Sequence, residues 1–155
     1  MKLINTTNLN EARKQIEKAR KEDSEQKIAL LSQDDEFNRK ALEIKGLNML
    51  IINENIEKKD YSKQRDSSLN EILAKLAKDK KIEIGIQIQD IINKDEKEKA
   101  KSLARLKQNI DLCKCTGTKL VFLTNNKNKQ NNKALQSLLL TLGASTKQAF
   151  ESVKE

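Results

Sequence analysis

Short apolar runs alternate with helix-periodic stretches from one end of this chain to the other, and that rhythm restricts the fold more than any single residue does. Strands are predicted at Lys2–Asn5, Lys27–Ser32, Leu47–Ile52, Ile82–Ile88 and Lys119–Thr124. The run Leu47–Ile52 lacks polar alternation, as a strand covered on both faces of a parallel sheet would. Between the strands, Leu9, Ala12, Ile16 and Ala19 share one helical face, and so do Phe37, Ala41 and Ile44. The third helix is read with Asp66 as its cap and Leu69, Ile72, Leu73 and Leu76 inward. The longest, from about Asp95 to Cys115, has Leu103, Leu106, Ile110 and Cys113 as its seam. Leu135, Leu138, Leu139 and Leu142 line another helix, and Ser145 with Gln148 opens a last one burying Ala149, Phe150 and Val153. Gly46, Gly117 and Gly143 fall where helices should stop. Right-handed crossovers between such units give a parallel sheet in one domain spanning residues 1–155. Periodicity alone leaves two α/β architectures open, a barrel-like one and an open doubly wound sheet.

Charge is the second constraint. The chain carries a formal net charge of +8, and of its 31 basic residues only Arg13, Arg20, Arg39, Arg65 and Arg105 are arginine. Lysine supplies point charges suited to a phosphate backbone, whereas forked contacts to base edges favour arginine. A polyanion partner is one reading, and a lysine-rich solvated surface is the other. No apolar run approaches the roughly 20 residues that span a bilayer, so no membrane partner and a cytoplasmic location are expected. Cys113 and Cys115 point to different sides of a helix, and the chain has no histidine, so neither a disulfide nor a zinc site is expected. Cys113 is read as a core residue.

In a parallel sheet the strand-to-helix loops open at the carboxyl edge, where ligands bind. Two loops there concentrate basic residues. Asn53–Arg65 holds Lys58, Lys59, Tyr61, Lys63 and Arg65, and the low-complexity segment Asn125–Lys133 holds Lys127, Lys129 and Lys133. A second basic row, Lys97, Lys101 and Arg105 with Lys107 beside it, lies along the longest helix. Together they form a candidate RNA-facing surface. Carboxylates at Asp34, Asp35, Glu54, Asp66, Glu83 and Asp90 read more simply as helix caps or surface charge than as a catalytic set. No glycine-rich phosphate-binding motif occurs.

Particular residues add a resemblance. Asp66-Ser67-x-Leu69-Asn70, the helix with Leu73, Leu76 and Ala77, and Ile84-Gly85 stand in a characteristic order. Leu103, Arg105, Gln108-Asn109-Ile110, Leu112-Cys113, Leu120-Val121 and Leu138–Gly143 follow. In this order and spacing the chain resembles protein component 3 of archaeal ribonuclease P, a relative of a eukaryotic RNase P and RNase MRP subunit. The likeness is good over residues 66–155, and over 1–65 it lies only in the order of elements. Ser68 replaces a glycine of the family pattern, and Asn70-Glu71 stands where relatives often have histidine beside the asparagine. The resemblance implies a TIM-barrel-like (β/α) fold, reduced or incomplete here. It also implies a subunit that is not catalytic alone, supporting an RNA catalyst in 5′-leader removal from precursor tRNA. Its partners would be the ribonuclease P RNA, precursor tRNA and protein component 2, as a heterodimer or heterotetramer. Mg²⁺ would be required by the RNA, with no cofactor or metal held by the protein. Asp66, Ser67, Asn70, Gly85, Gln108 and Asn109 are the family-motif positions. Two other classes remain open: a small divergent metal-dependent phosphoesterase, and a non-catalytic α/β interaction module.

Overall fold

The computed structural model describes residues 1–60, 65–124 and 129–153, the side chains of 129 and 130 excepted. Its five strands are β1 (Lys2–Ile4), β2 (Ile28–Leu31), β3 (Met49–Ile52), β4 (Glu83–Gln87) and β5 (Leu120–Leu123). They form one all-parallel sheet in the order β1-β2-β3-β4-β5. Helices α1 (Leu9–Glu22), α2 (Asp35–Ala41), α3 (Glu71–Asp79), α4 (Ile88–Ile92), α5 (Glu96–Thr116), α6 (Lys129–Thr141) and α7 (Thr146–Ser152) fill the connections.

Strand order separates the two architectures left open above. A doubly wound sheet reverses direction at a switch point and carries helices on both faces. Here the strands follow chain order without reversal, and every helical residue of the core lies on one side of the sheet with Ile4, Leu30, Leu50, Ile84 and Phe122. The opposite side holds a smaller cluster of strand residues alone, Ala29, Met49 and Ile51 with Leu31, Val121 and Leu123. This is a reduced TIM-barrel-like arrangement, five strands with their helices outside and an inner face left open. A cavity of about 740 Å³ runs along that inner face, bordered by Leu3, Met49, Ile51, Val121 and Leu123.

Gly85 marks close packing within the sheet's inner face. It stands in register with Ile51 and Val121, and a Cβ there would lie 2.7 Å from Met49 Sδ and 3.0 Å from Ile51 Cγ1. The side chains of β3 therefore fold across β4, which is the close approach that glycine in a strand signals. At the amino edge of the sheet Glu83 pairs with both Lys27 and Lys119.

Several local readings need correction. Asn70, not Asp66, caps α3, its Oδ1 accepting from Leu73 N–H at 2.9 Å. With the helix starting four residues later, Leu73, Ala74 and Ala77 take the buried face, and Ile72 is 68% exposed. The strand predicted to reach Ile88 stops at Gln87, and α4 inserts Ile88 and Ile91 into the core. Phe150 on α7 is exposed, while Ala149 and Val153 are buried. Asn8 caps α1, and Thr6 braces the cap: Thr6 Oγ1 donates to Glu11 and accepts from Asn8 N–H. No helix among the described residues is long and apolar enough to cross a membrane.

Candidate nucleic-acid interface

The longest described connection at the carboxyl edge follows β3, and buried charge ties it to α5. Glu54 comes two residues after the strand, and its side chain is only 4% exposed. It accepts from Lys58 Nζ at 3.2 Å, from Lys94 Nζ at 3.1 Å and from Ser102 Oγ at 2.9 Å. Lys94 also donates to the Glu54 carbonyl at 2.9 Å and to Ser102 Oγ at 2.8 Å. One turn along α5, Arg105 forks onto Asp60 with both bonds at 3.1 Å. With the exposed Arg65 at 3.6 Å from Asp60, four cations thus share two carboxylates, of which Glu54 is buried and Asp60 partly exposed.

That excess of positive charge sets the proton affinities. Burial opposes the ionised form of Glu54, yet Lys58, Lys94 and Ser102 outweigh it and hold the carboxyl below its ordinary range. Asp60 is likewise held low, desolvation being overcome by the Arg105 fork, by the Asp66 N–H and by Arg65. Lys58 goes the other way for a cation. Burial lowers its pKa more than Glu54 raises it, and Arg105 and Lys94 add repulsion. The anions are over-compensated and the buried lysine is not.

Asp66, Ser67, Asn70, Gln108 and Asn109 extend the same seam. Gln108 accepts from Arg65 N–H at 3.3 Å and donates to the Arg65 carbonyl at 3.0 Å and to Ser67 Oγ at 2.9 Å. Asn109 donates to the Ser67 carbonyl at 3.2 Å, and Ser67 Oγ to the Leu69 carbonyl at 3.0 Å. Asp66 accepts from Lys59 N–H and Ser68 N–H, turning the loop so that Ser68 adopts a left-handed φ of 56°. Asn70 closes the loop, capping α3 and donating to Asp35 at 3.2 Å. Between the starts of α2 and α3 this leaves a polar cleft of about 580 Å³, bordered by Gln33, Asp34, Glu57, Asp66, Ser68 and Asn70.

This is a loop locked by motif residues, on a half-open wheel of parallel strands. The chain is similar to one in the cryo-EM structure of archaeal ribonuclease P with mature tRNA. The TM-score is 0.76 and the identity 26%, over 96% of this chain and 62% of that one. This chain thus spans less than two thirds of the length of the chain it matches. A chain from the crystal structure of an uncharacterized protein shares the fold at a TM-score of 0.62 and 10% identity, over 95% of this chain and 36% of that one. No protein-family model and no curated protein matches the chain.

The candidate RNA-contacting residues divide into three groups. Lys58 and Arg105, read as outward-facing, are turned inward: their side chains are 1% and 7% exposed and committed to Glu54 and Asp60. Lys59, Arg65, Lys107 and Lys133 are exposed, and Lys101 is half-buried and paired with Glu98. Tyr61, Lys63 and Lys127 lie outside the described residues, as does the side chain of Lys129. Sequence reasoning missed Glu54, Asp60, Lys94 and Ser102 as a group. A signal existed: Ser102, Arg105 and Asn109 fall at helical spacing beside Leu106, Ile110 and Cys113, so the buried stripe of α5 has a polar half. Among the described residues no cluster of three or more carboxylates or cysteines is arranged to hold a metal ion.

Proposed function

We propose that this chain is a protein subunit of ribonuclease P that supports the RNA catalyst in removing the 5′ leader of precursor tRNA. The observation that carries this reading is the likeness to a chain of archaeal ribonuclease P over 96% of the present chain. The chemistry of the site agrees with it. A net charge of +8 on a lysine-dominated surface suits sequence-independent phosphate contact, because each neutralised phosphate releases condensed counterions. The loop after β3 is held by Glu54–Lys94–Ser102, Asp60–Arg105 and the Gln108 and Asn109 amides, so Lys59 and Arg65 are carried on a pre-ordered frame. Pre-ordering reduces the entropy lost when RNA docks. In this role the protein screens phosphates that the folded RNA crowds together, and the Mg²⁺ for chemistry belongs to the RNA. A second protein, component 2 of the same particle, completes the complex as a heterodimer or heterotetramer.

Affinity purification of the tagged chain from its own cells tests this. The reading expects the ribonuclease P RNA and one protein partner to be enriched together. Enrichment of neither, with metal-dependent phosphoester turnover by the purified chain alone, would overturn it in favour of a small hydrolase.

A further inference from the structure

The amino edge of the sheet, opposite the loops just described, carries a second concentration of positive charge. Helices α3, α5 and α6 all end there in the same way. In each, the residue after the turn donates its N–H back to the fifth carbonyl before it: Ile82 to Ala77 at 2.8 Å, Thr118 to Cys113 at 3.0 Å and Ala144 to Leu139 at 3.0 Å. This closure requires the preceding residue to be left-handed, and glycine takes that position without steric cost. Gly117 has φ 74° and Gly143 φ 100°. At the end of α3 the position is held by Lys81, with φ 57°. A lysine there accepts a strain that two sister turns avoid.

The neighbours of Lys81 are of the same sign. Lys78 lies across the end of α5, its Nζ 3.2 Å from where a Cβ on Gly117 would be, and Lys114 Nζ donates to the Gly143 carbonyl at 3.2 Å. Helix C-termini attract cations, which accounts for Lys78 and Lys114. The same attraction draws Lys80 and Lys81 to the end of α3 as well, yet their exposed ammonium groups have no hydrogen-bond or ion-pair partner among the described residues. Of the nearby carboxylates, Glu83 is already shared by Lys27 and Lys119, and Asp79 and Asp111 remain. The ends of α3 and α5 therefore present four lysines, with Asp79 and Asp111 as the nearby carboxylates not already shared.

We infer that Lys78, Lys80, Lys81 and Lys114, at the ends of α3 and α5, form a second phosphate-contacting surface for RNA, on the edge of the sheet away from the β3–α3 loop. The inference rests on the ribonuclease P reading for the identity of the RNA. It gives the chain two RNA-facing poles, one at each edge of its sheet. Phosphate backbone fits better than an acidic protein segment, because Lys80 and Lys81 are exposed point charges and the one apolar residue of their turn, Ile82, is buried in the core.

The test uses the full chain and the ribonuclease P RNA of the same organism, with affinity measured between 50 and 300 mM salt. Lys81→Gly separates backbone from function. It relieves the left-handed strain, so the expected Tm is unchanged or raised, while RNA affinity falls about fivefold at 0.15 M salt, the counterion release of one phosphate contact. Lys78→Gln/Lys80→Gln/Lys81→Gly should lower the slope of log affinity against log salt by about 2 to 3. Parent-like affinity and slope in both variants, with binding still lost on Lys59→Gln/Arg65→Gln, would overturn the second surface and leave the ribonuclease P reading standing. A parent chain that does not bind this RNA would overturn both. Loss of binding to polyglutamate without loss of binding to RNA would reassign the surface to an acidic protein.

Discussion

Replacing Glu54 with glutamine probes the buried network directly. The substitution keeps the shape and removes the one charge that Lys58 and Lys94 share. Lys58 is 1% exposed and pairs with no other anion among the described residues, so its ammonium would be stranded in a water-poor site. Removing one partner of a buried pair costs about 3–5 kcal/mol. For a domain of this size, about 2–4 °C of Tm is lost per kcal/mol, so a fall on the order of 6–20 °C is expected by circular dichroism. The converse change should be mild. Lys58→Met leaves Glu54 bonded to Lys94 and Ser102 and removes a cation that burial already disfavours, so its cost stays below about 1 kcal/mol. Lys58→Met added to Glu54→Gln should recover about 1–3 kcal/mol of the loss, the coupling of neighbours in one network. Acid titration supplies a second readout. Because the folded carboxyl is held below its ordinary 4.5, its stabilisation is complete above that value and fades as pH falls through the lower folded value. The Glu54→Gln chain should lack that part of the acid loss. Equal costs for Glu54→Gln and Lys58→Met, or a Glu54→Gln chain as stable as the parent, would refute the reasoning.

Other consequences follow from single sites. Native protein should react with a thiol reagent at Cys115 alone, because Cys113 is buried and its pKa is pushed up to about 12; labelling of both before unfolding would contradict the packing of α5. Asn70→Ala should cost about 1 kcal/mol in chemical denaturation as a lost cap, and Asn70→Asp should not restore it fully, because the new carboxylate would face Asp35. Gly85→Ala should destabilise by about 1–3 kcal/mol through overpacking against Met49 and Ile51, with part of the loss returned by Met49→Ala.

The strands and most helices were legible because their signals are local. Ile28–Leu31 and Met49–Ile52 are apolar on both sides, and each contributes residues to the clusters on both faces of the sheet. Asn8, Asp34, Asp95 and Ser145 cap the helices they precede. Errors arose where a distant contact decided between local options. Asp66 and Asn70 both suit a cap, and Gln108 and Asn109 on α5 settle the matter by holding residues 65–67 as loop. Arg105 occurs every fourth residue after Lys97 and Lys101, which suggested a solvated row, but Asp60 from 45 residues away turns it inward. Within the β3–α3 loop Lys58 likewise turns inward, onto Glu54, while Lys59 and Arg65 are exposed. Lys81 could not be singled out at all, since a lysine in left-handed backbone has no sequence signature.

Cleavage of precursor tRNA by the cognate ribonuclease P RNA, titrated with Mg²⁺, tests the proposed role most directly. With component 2 present throughout, adding this chain should shift the Mg²⁺ midpoint to lower concentration, and omitting it should leave the higher requirement uncorrected. Superimposable Mg²⁺ curves with and without the chain would contradict the account.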